Sequence, residues 1–285
     1  MSRGNYREGV LVPMGVESKG YACVWSPGQH AVRTIVASEY EKVPTGSSRF
    51  CDETVVVPSP TDDLLAYRDA LLELAARPDV QTILPTRPHD TYLFSVYEST
   101  FEEHVSLVTP ARETLRTVHD RVRLAAAAEA ADVPVPDTRL LSEAPRPDRP
   151  KIVKSRYNLL AGEYLDTYAE DESTVEKALT HLAPGDEIDR EGITRQMGHD
   201  PIVQEYIPSS DEYLFGALYD RGEPLATFQH RQIRGDSYTG GGGVYRKSTA
   251  IPELEAVGRR LLDSLDYHGL ACIEYIRDAT TGEFK

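Results

Sequence analysis

The chain has 285 residues, which allows a large core in two or three subdomains and excludes a small disulfide-stapled scaffold. Acidic residues outnumber basic ones by 46 to 31, and the net charge of −15 is spread along the chain; nucleic acid is disfavoured as a partner, because phosphate contacts need clustered Lys and Arg. No run reaches the ~20 apolar residues of a membrane helix and no signal-type stretch follows the polar N-terminus, so no membrane partner is expected and the cytoplasm is the default location.

Over the first ~110 residues, apolar runs alternate with amphipathic stretches. Gly9–Val12, Thr34–Ser38, Thr54–Pro58, Thr82–Pro85 and Val105–Val108 read as strands. Thr61–Arg77 opens on a Thr-Asp-Asp cap, carries Leu64, Leu65, Leu71, Leu72 and Leu74 at helical spacing, and stops at Pro78, so a helix is predicted. Such alternation indicates an α/β unit with a parallel sheet and crossover helices. Pro13–Gly20 contains neither G-x-G-x-x-G nor G-K-[ST] and reads as a tight turn or a substrate-facing loop. Arg112–Ala131 is a strongly helical block, and Pro134 and Pro136 then force extended backbone.

Ser142–Arg149 is a polar, proline-rich bridge to a strand at Lys151–Lys154. Lys154 ends that apolar strand; burying its charge is costly unless an anion meets it, so it is either a phosphate ligand or a solvent-facing strand end. The extended text Gln204-Glu205-Tyr206-Ile207-Pro208 can offer backbone groups to an adenine edge, and Glu212 follows at a distance suited to accepting hydrogen bonds from both ribose hydroxyls. An acidic, half-exposed strand is the plainer alternative. Leu214–Thr227 reads as a hairpin turning at Asp220–Glu223. Alternation along the next run puts His230, Gln232 and Arg234 on one face and Arg231 on the other. Gly235–Val244, with glycine at 240–243, reads as a loop that either approaches a phosphoryl oxygen or serves as a flexible linker. A helix over Leu254–Asp266 and a strand carrying Glu274 complete the chain.

Cys23, Cys51 and Cys272 form no CxxC pair and read as reduced, mostly buried thiols. The eight histidines are scattered, and no Ser-His-Asp, Cys-His or HExxH arrangement is present. The scarcity of lysine beside abundant Asp, Glu and Thr fits a halophilic protein kept soluble in high salt, or an ordinary acidic bacterial enzyme.

The ordered set Lys151-Ile152-Val153-Lys154, Gln204-Glu205-Tyr206-Ile207-Pro208 with Glu212, His230-Arg231-Gln232-Ile233-Arg234 and Ile273-Glu274-Tyr275 resembles the ATP-grasp superfamily. Within it, the match is to the carbamoyl-phosphate-synthetase-like branch of carboxylate–amine ligases. The resemblance implies an N-terminal Rossmann-like pre-ATP-grasp domain over 1–110, linker helices and the start of the ATP-grasp region over 111–149, and the nucleotide-binding domain over 150–285. It makes Asp120-Arg121 the counterpart of the family's Asp-Lys and Asp132-Val133-Pro134-Val135-Pro136 that of its "GVPVP" text, so that Arg121 and Lys154 contact phosphate. Residues 155–162 would cover the phosphates, although only Gly162 remains of the usual glycines. Gln204, Glu205, Tyr206 and Ile207 would hold adenine, with Glu205 toward the exocyclic amine. Glu212 would hold the ribose, and Glu274 would be the first magnesium ligand. Arg231 and Arg234, with Arg246 a weaker candidate, would carry the γ-phosphate and the carboxylate being activated.

The family's next strand, with a Glu-x-Asn-x-Arg text, would begin at Lys285, where the sequence ends. The implied activity uses ATP and Mg²⁺ to join a carboxylate to an amine, or a thiol, through an acyl phosphate with release of ADP; a homodimer is allowed. Alternatives are a nucleotide-binding sensor or assembly protein that ligates nothing, and a carboxylase or kinase of the same fold.

Overall fold

Four short strands of the N-terminal half lie side by side and run in one direction: β1 (Gly9–Val12), β2 (Arg33–Ser38), β3 (Glu53–Val56) and β4 (Thr82–Ile83), in the order β3-β2-β1-β4. The structure, a computed structural model, describes residues 8–208, 211–237 and 240–285. It forms two compact units, one running to Arg112 with Leu159–Val175 added, the other made of Glu113–Asn158 and Glu176–Lys285. Among the described residues no helix is long and apolar enough to cross a membrane.

In the first unit, Val10–Val12 and Ile35–Ala37 are buried without alternation, as strands covered on both faces must be. The crossover helices are α1 (Ser18–Gln29) and α2 (Leu64–Ala75). Asp63 caps α2 by accepting the Ala66 N–H at 2.8 Å, so the helix starts at the third residue of the expected Thr-Asp-Asp cap. The expected turn or loop over 13–20 holds for Pro13–Glu17 and is cut short by a helix from Ser18. Its sequence hides it, because only Gly20 and Val24 are buried and Pro27 sits in its last turn. Helices α3 (Pro88–Val96) and α4 (Glu98–Glu102) follow. The expected strand at 105–108 is reduced to a single parallel bridge, Thr82 to Ser106, because β4 offers only two residues for pairing. Residues 159–175 join this unit, with Leu160–Ala161 paired to Ser173–Thr174 and the Ser173 hydroxyl donating to the Pro60 carbonyl at 2.8 Å. One side of the sheet carries an ion cluster: Arg77 donates to both oxygens of Glu53 at 2.9 and 2.8 Å, and Arg33 lies 2.6 Å from Glu53 and 3.0 Å from Asp79.

In the second unit the helical block is broken into α5 (Arg112–His119) and α6 (Arg121–Ala130). Asp120 between them is extended and caps α6 through the Val122 N–H at 3.0 Å. Next come β5 (Thr138–Leu140), β6 (Lys151–Lys154), β7 (Leu179–Leu182), α7 (Arg190–Met197) and β8 (Ile202–Glu205); the strands form an antiparallel sheet in the order β5-β8-β6-β7.

A second antiparallel sheet has the order β11-β10-β9-β12, from β9 (Glu212–Asp220), β10 (Glu223–Ser237), β11 (Gly240–Ser248) and β12 (Gly269–Ile276). The β9–β10 turn has positive φ at Arg221 (46°) and Gly222 (80°), the two-residue turn that suits strand twist. Tyr213, Phe215, Ala217 and Tyr219 on one face bury against Leu254, Val257, Leu261 and Leu262 of α8 (Pro252–Ser264). The approach is close: a Cβ at Gly258 would lie 2.4 Å from the Phe215 ring. The other face carries Glu212, Leu214, His230, Gln232 and Glu274.

The expected glycine loop at 235–244 is largely ladder, with Gly235 opposite Gly243 and Ser237 opposite Gly240; Tyr238 and Thr239 lie outside the described residues. Pairing with β10 overrides the low strand preference of glycine. The cysteines form no disulfide and are less buried than expected: Cys23 and Cys51 are half-buried and Cys272 is exposed.

Candidate functional site

A cavity of about 360 Å³ lies within the second unit. Its apolar wall is built by Leu124, Ala125 and Ala128 of α6, by Val133–Pro136, and by Ile273 and Ile276 of β12. Four cationic side chains, Arg121, Lys154, Arg246 and Lys285, reach it against two carboxylates, Glu212 and Glu274. Thr138, Gln204, His230 and Gln232 add polar groups to its lining.

Each charged group sits where its strand or helix ends or alternates. Lys154 is the last residue of β6, opposite Ile202 of β8. Burial, with the neighbouring Arg121 cation, pushes its ammonium down to about 8, opposed by Glu274. Arg121 opens α6 and donates from Nη1 to the Ser155 carbonyl at 2.9 Å; burial lowers its proton affinity and Glu274 partly restores it. Glu212 opens β9. Its carboxyl is raised by burial and by the charge of Glu274, and the Gln232 side-chain amide donates to it. His230, opposite Leu214, is lowered by burial and by Arg246. Gly243 leaves room here: a Cβ would lie 2.4 Å from Gln232 Oε1 and 2.6 Å from Arg246 Nε.

The structure thus brings together Arg121, Lys154, Gln204, Glu212 and Glu274 of the residues singled out in the sequence. It does not place Glu205, Tyr206, Ile207, Arg231 or Arg234 on the cavity wall. Glu205 alternates with Gln204 on β8 and borders a second cavity, of about 520 Å³, with Lys151 and Arg139; its carboxylate is 3.7 Å from the Lys285 ammonium. Tyr206 is exposed, its ring edge against His181, while Ile207 is buried. Arg231 pairs with Asp211. Arg234 is exposed, because a register shift between Gln232 and Arg234 breaks the alternation that would have kept it on the face of Gln232.

Sequence reasoning missed Lys285, which pairs with Asp278 at 3.0 Å, and underrated Arg246. The Val133–Pro136 wall was visible as a text but not as a surface. Among the described residues no group of three or more His, Cys, Asp or Glu side chains could hold a metal ion. The donors that are present suit Mg²⁺ arriving with phosphate oxygens, since Mg²⁺ takes one or two carboxylates from protein and the rest from substrate and water.

No protein-family model matches the chain, and no curated protein does. Solved structures do. The ADP complex of N5-carboxyaminoimidazole ribonucleotide synthetase is similar at 18% identity and TM-score 0.67, over 97% of this chain and 68% of that one. The biotin carboxylase domain of Hydrogenobacter thermophilus 2-oxoglutarate carboxylase, with MgADP, ADP and bicarbonate, is similar at 15% and 0.65, over 97% and 62%. The L-amino acid ligase of Bacillus licheniformis is similar at 11% and 0.65, over 98% and 66%. The chain therefore spans only about two thirds of the length of these three. At such identities the likeness speaks for architecture, and the architecture is the ATP-grasp fold with a parallel N-terminal sheet.

Proposed function

We propose that the 360 Å³ cavity binds ATP, and that the protein is an ATP-dependent ligase joining a carboxylate to an amine or thiol with release of ADP. The observation that carries this reading is the sign of the cavity: four cations meet two carboxylates in a chain of net charge −15. A polyanion with an apolar head group complements both the charges and the adjacent apolar wall. Solved structures of the same fold hold ADP or MgADP.

In this assignment Lys154, Arg121 and Arg246 neutralise phosphate oxygens, and Glu212 accepts hydrogen bonds from the ribose hydroxyls. Gln204 borders adenine from the cavity wall; Glu205, Tyr206 and Ile207, which follow it in the chain, lie outside that wall. Glu274 would be the protein's ligand for Mg²⁺, which neutralises charge between the phosphates when bound. Arg231 and Arg234 are assigned to the acid substrate. An oxygen of that carboxylate attacks the γ-phosphorus as the bond to the β-phosphate oxygen breaks, and ADP leaves. The amine nitrogen then attacks the acyl carbon; the carbon–oxygen bond to phosphate breaks, phosphate departs and the amine proton passes to solvent. Positioning and charge neutralisation do this work without a protein nucleophile.

The test is ADP release from ATP and Mg²⁺ with amino acids and other carboxylates, each with and without an amine. Release requiring both partners supports ligation. Tight ATP binding with no release on any pair favours the second reading, a nucleotide-binding sensor or assembly protein. A cytoplasmic location belongs to the same proposal, which allows a homodimer and either a high-salt or an ordinary acidic setting.

A further inference from the structure

The segment after Lys154 is tied down almost residue by residue, although its only strand pairing is one bridge from Tyr157 to Asp120. The Arg121 N–H donates to the Arg156 carbonyl at 2.9 Å, and the Arg156 guanidinium donates to both Asp120 oxygens at 3.0 and 2.6 Å. The Asn158 N–H donates to the His119 carbonyl at 3.0 Å. At the centre of these ties sits His199, only 6% exposed, two residues beyond the end of α7.

Its ring geometry fixes its protonation. Nδ1 lies 2.8 Å from the Met197 carbonyl, which can only accept, so Nδ1 carries the hydrogen. In the neutral ring Nε2 is then a lone pair. It accepts the Arg156 N–H at 3.1 Å and lies 3.2 Å from the Ser155 hydroxyl, which is itself 2.9 Å from the Tyr157 carbonyl. Ser155 carries the carbonyl from which Arg121 hangs, and Lys154 immediately precedes it.

We propose that His199 is a positioning residue for the cavity: its neutral, Nδ1-protonated ring fixes the main chain of Ser155 and Arg156, and through it the aim of Lys154 and Arg121. The inference borrows from the nucleotide reading only the identity of the ligand. Protonation would set a second N–H, on Nε2, against the Arg156 N–H, and that hydrogen bond would be lost. The groups facing the ring are Asp200, Arg156, Glu176 and the Tyr157 ring, 5.8 Å away. Burial holds the ring below the ordinary histidine range, the Met197 bond and the two carboxylates raise it, and Arg156 lowers it. The folded state thus resists the proton more than the unfolded chain. The contribution of His199 is complete above the ordinary value of 6.5 and is lost as pH falls from there toward the lower folded value.

Two near-isosteric variants of the full chain separate positioning from bulk. His199→Asn keeps a donor for Met197 but removes the acceptor at Nε2; His199→Gln puts an amide oxygen at the Nε2 position. In lysine-labelled NMR titrations the Lys154 ammonium, about 8 in the parent, should move toward 10.5 in the Asn variant and stay near the parent value in the Gln variant. Calorimetry should show ATP affinity falling roughly tenfold more than adenosine affinity in the Asn variant, with recovery in the Gln variant. Unchanged Lys154 titration and ATP affinity in a destabilised Asn variant would overturn the proposal, leaving His199 a packing residue. If the parent binds neither ATP nor adenosine, the nucleotide reading fails and the lysine titration alone decides. If the Asn variant does not fold, exchange of the Arg156 amide in the parent decides instead: it should accelerate as His199 titrates, and constant protection through that titration overturns the proposal.

Discussion

The molecule holds two charge clusters that respond to folding in opposite ways. On the N-terminal sheet, Arg77, Glu53 and Asp79 satisfy one another, with Arg33 beside them. Hydrogen bonding to Glu53 and Asp79 raises Arg77, and hydrogen bonding to Arg77 lowers both carboxyls, so these three are held more firmly in their charged forms. In the cavity of the second unit the directions reverse. Lys154 and Arg121 are pushed down and Glu212 is pushed up, each by burial first, so every one is displaced toward neutrality. Burial that partners do not offset is costly to folding, and such uncompensated groups mark places where a ligand supplies the missing charge. The first cluster pairs its charges internally; a bound polyanion, as proposed above, would neutralise the cations of the second.

Replacing a member of each cluster should therefore separate affinity from stability. The largest effect is expected for Lys154→Met, which keeps the stem and removes the charge. ATP affinity should fall by about 2–3 kcal/mol, with adenosine affinity nearly unchanged and the melting temperature equal or higher. Loss of stability without loss of affinity would erase the contrast between the clusters. Glu212→Ala should cost ATP binding about 2 kcal/mol, read by calorimetry on a chain that still folds.

A sharper version uses protons. Because the Lys154 ammonium titrates near 8 in the folded chain and near 10.5 when unfolded, the unfolded chain holds more protons between those values; stability relative to Lys154→Met should rise with pH across that window. Phosphate oxygens should restore the charge, so ATP binding near pH 8.5 should take up protons. Calorimetry in buffers of different ionisation enthalpy measures that uptake, and its absence would mean that Lys154 meets no anion. Glu53→Gln should act oppositely, lowering stability by about 1 kcal/mol, discounted for partial exposure, without touching ATP affinity. The smallest difference is expected among the arginines: Arg246→Met should weaken ATP binding severalfold, whereas Arg231→Met, which removes an ion pair with Asp211 outside the cavity wall, should change it less than twofold.

Much of this was legible in the sequence, for identifiable reasons. A lysine ending the Lys151–Lys154 run and a glutamate inside the Gly269–Ile276 strand stand out because charge on short apolar strands demands a partner. Helix α2 announced itself through its cap, and the β9–β10 hairpin through Asp220–Glu223. What failed were features decided by distant pairing. Nothing near Asp120 says that its carboxylate will be taken up by Arg156, yet that tie accompanies the break between α5 and α6. The glycines at 240–243 look like a linker until β10 supplies a ladder. Arg234 follows simple alternation on paper and leaves it at a bulge, while Lys285 reaches the cavity from a hairpin closed by Ile276 and Lys285 backbone bonds.

The burial of Lys154 and Arg121 has a kinetic consequence. At 1 M ionic strength the Debye length is about 3 Å, so a surface of net charge −15 no longer repels a polyanion from a distance, whereas cations shielded from solvent keep their strength at contact. If ATP is the ligand, as proposed, added salt should therefore hasten its arrival while changing its departure little. Its residence time would be set by groups that the ionic atmosphere barely reaches, and its rate of capture by charges fully exposed to it.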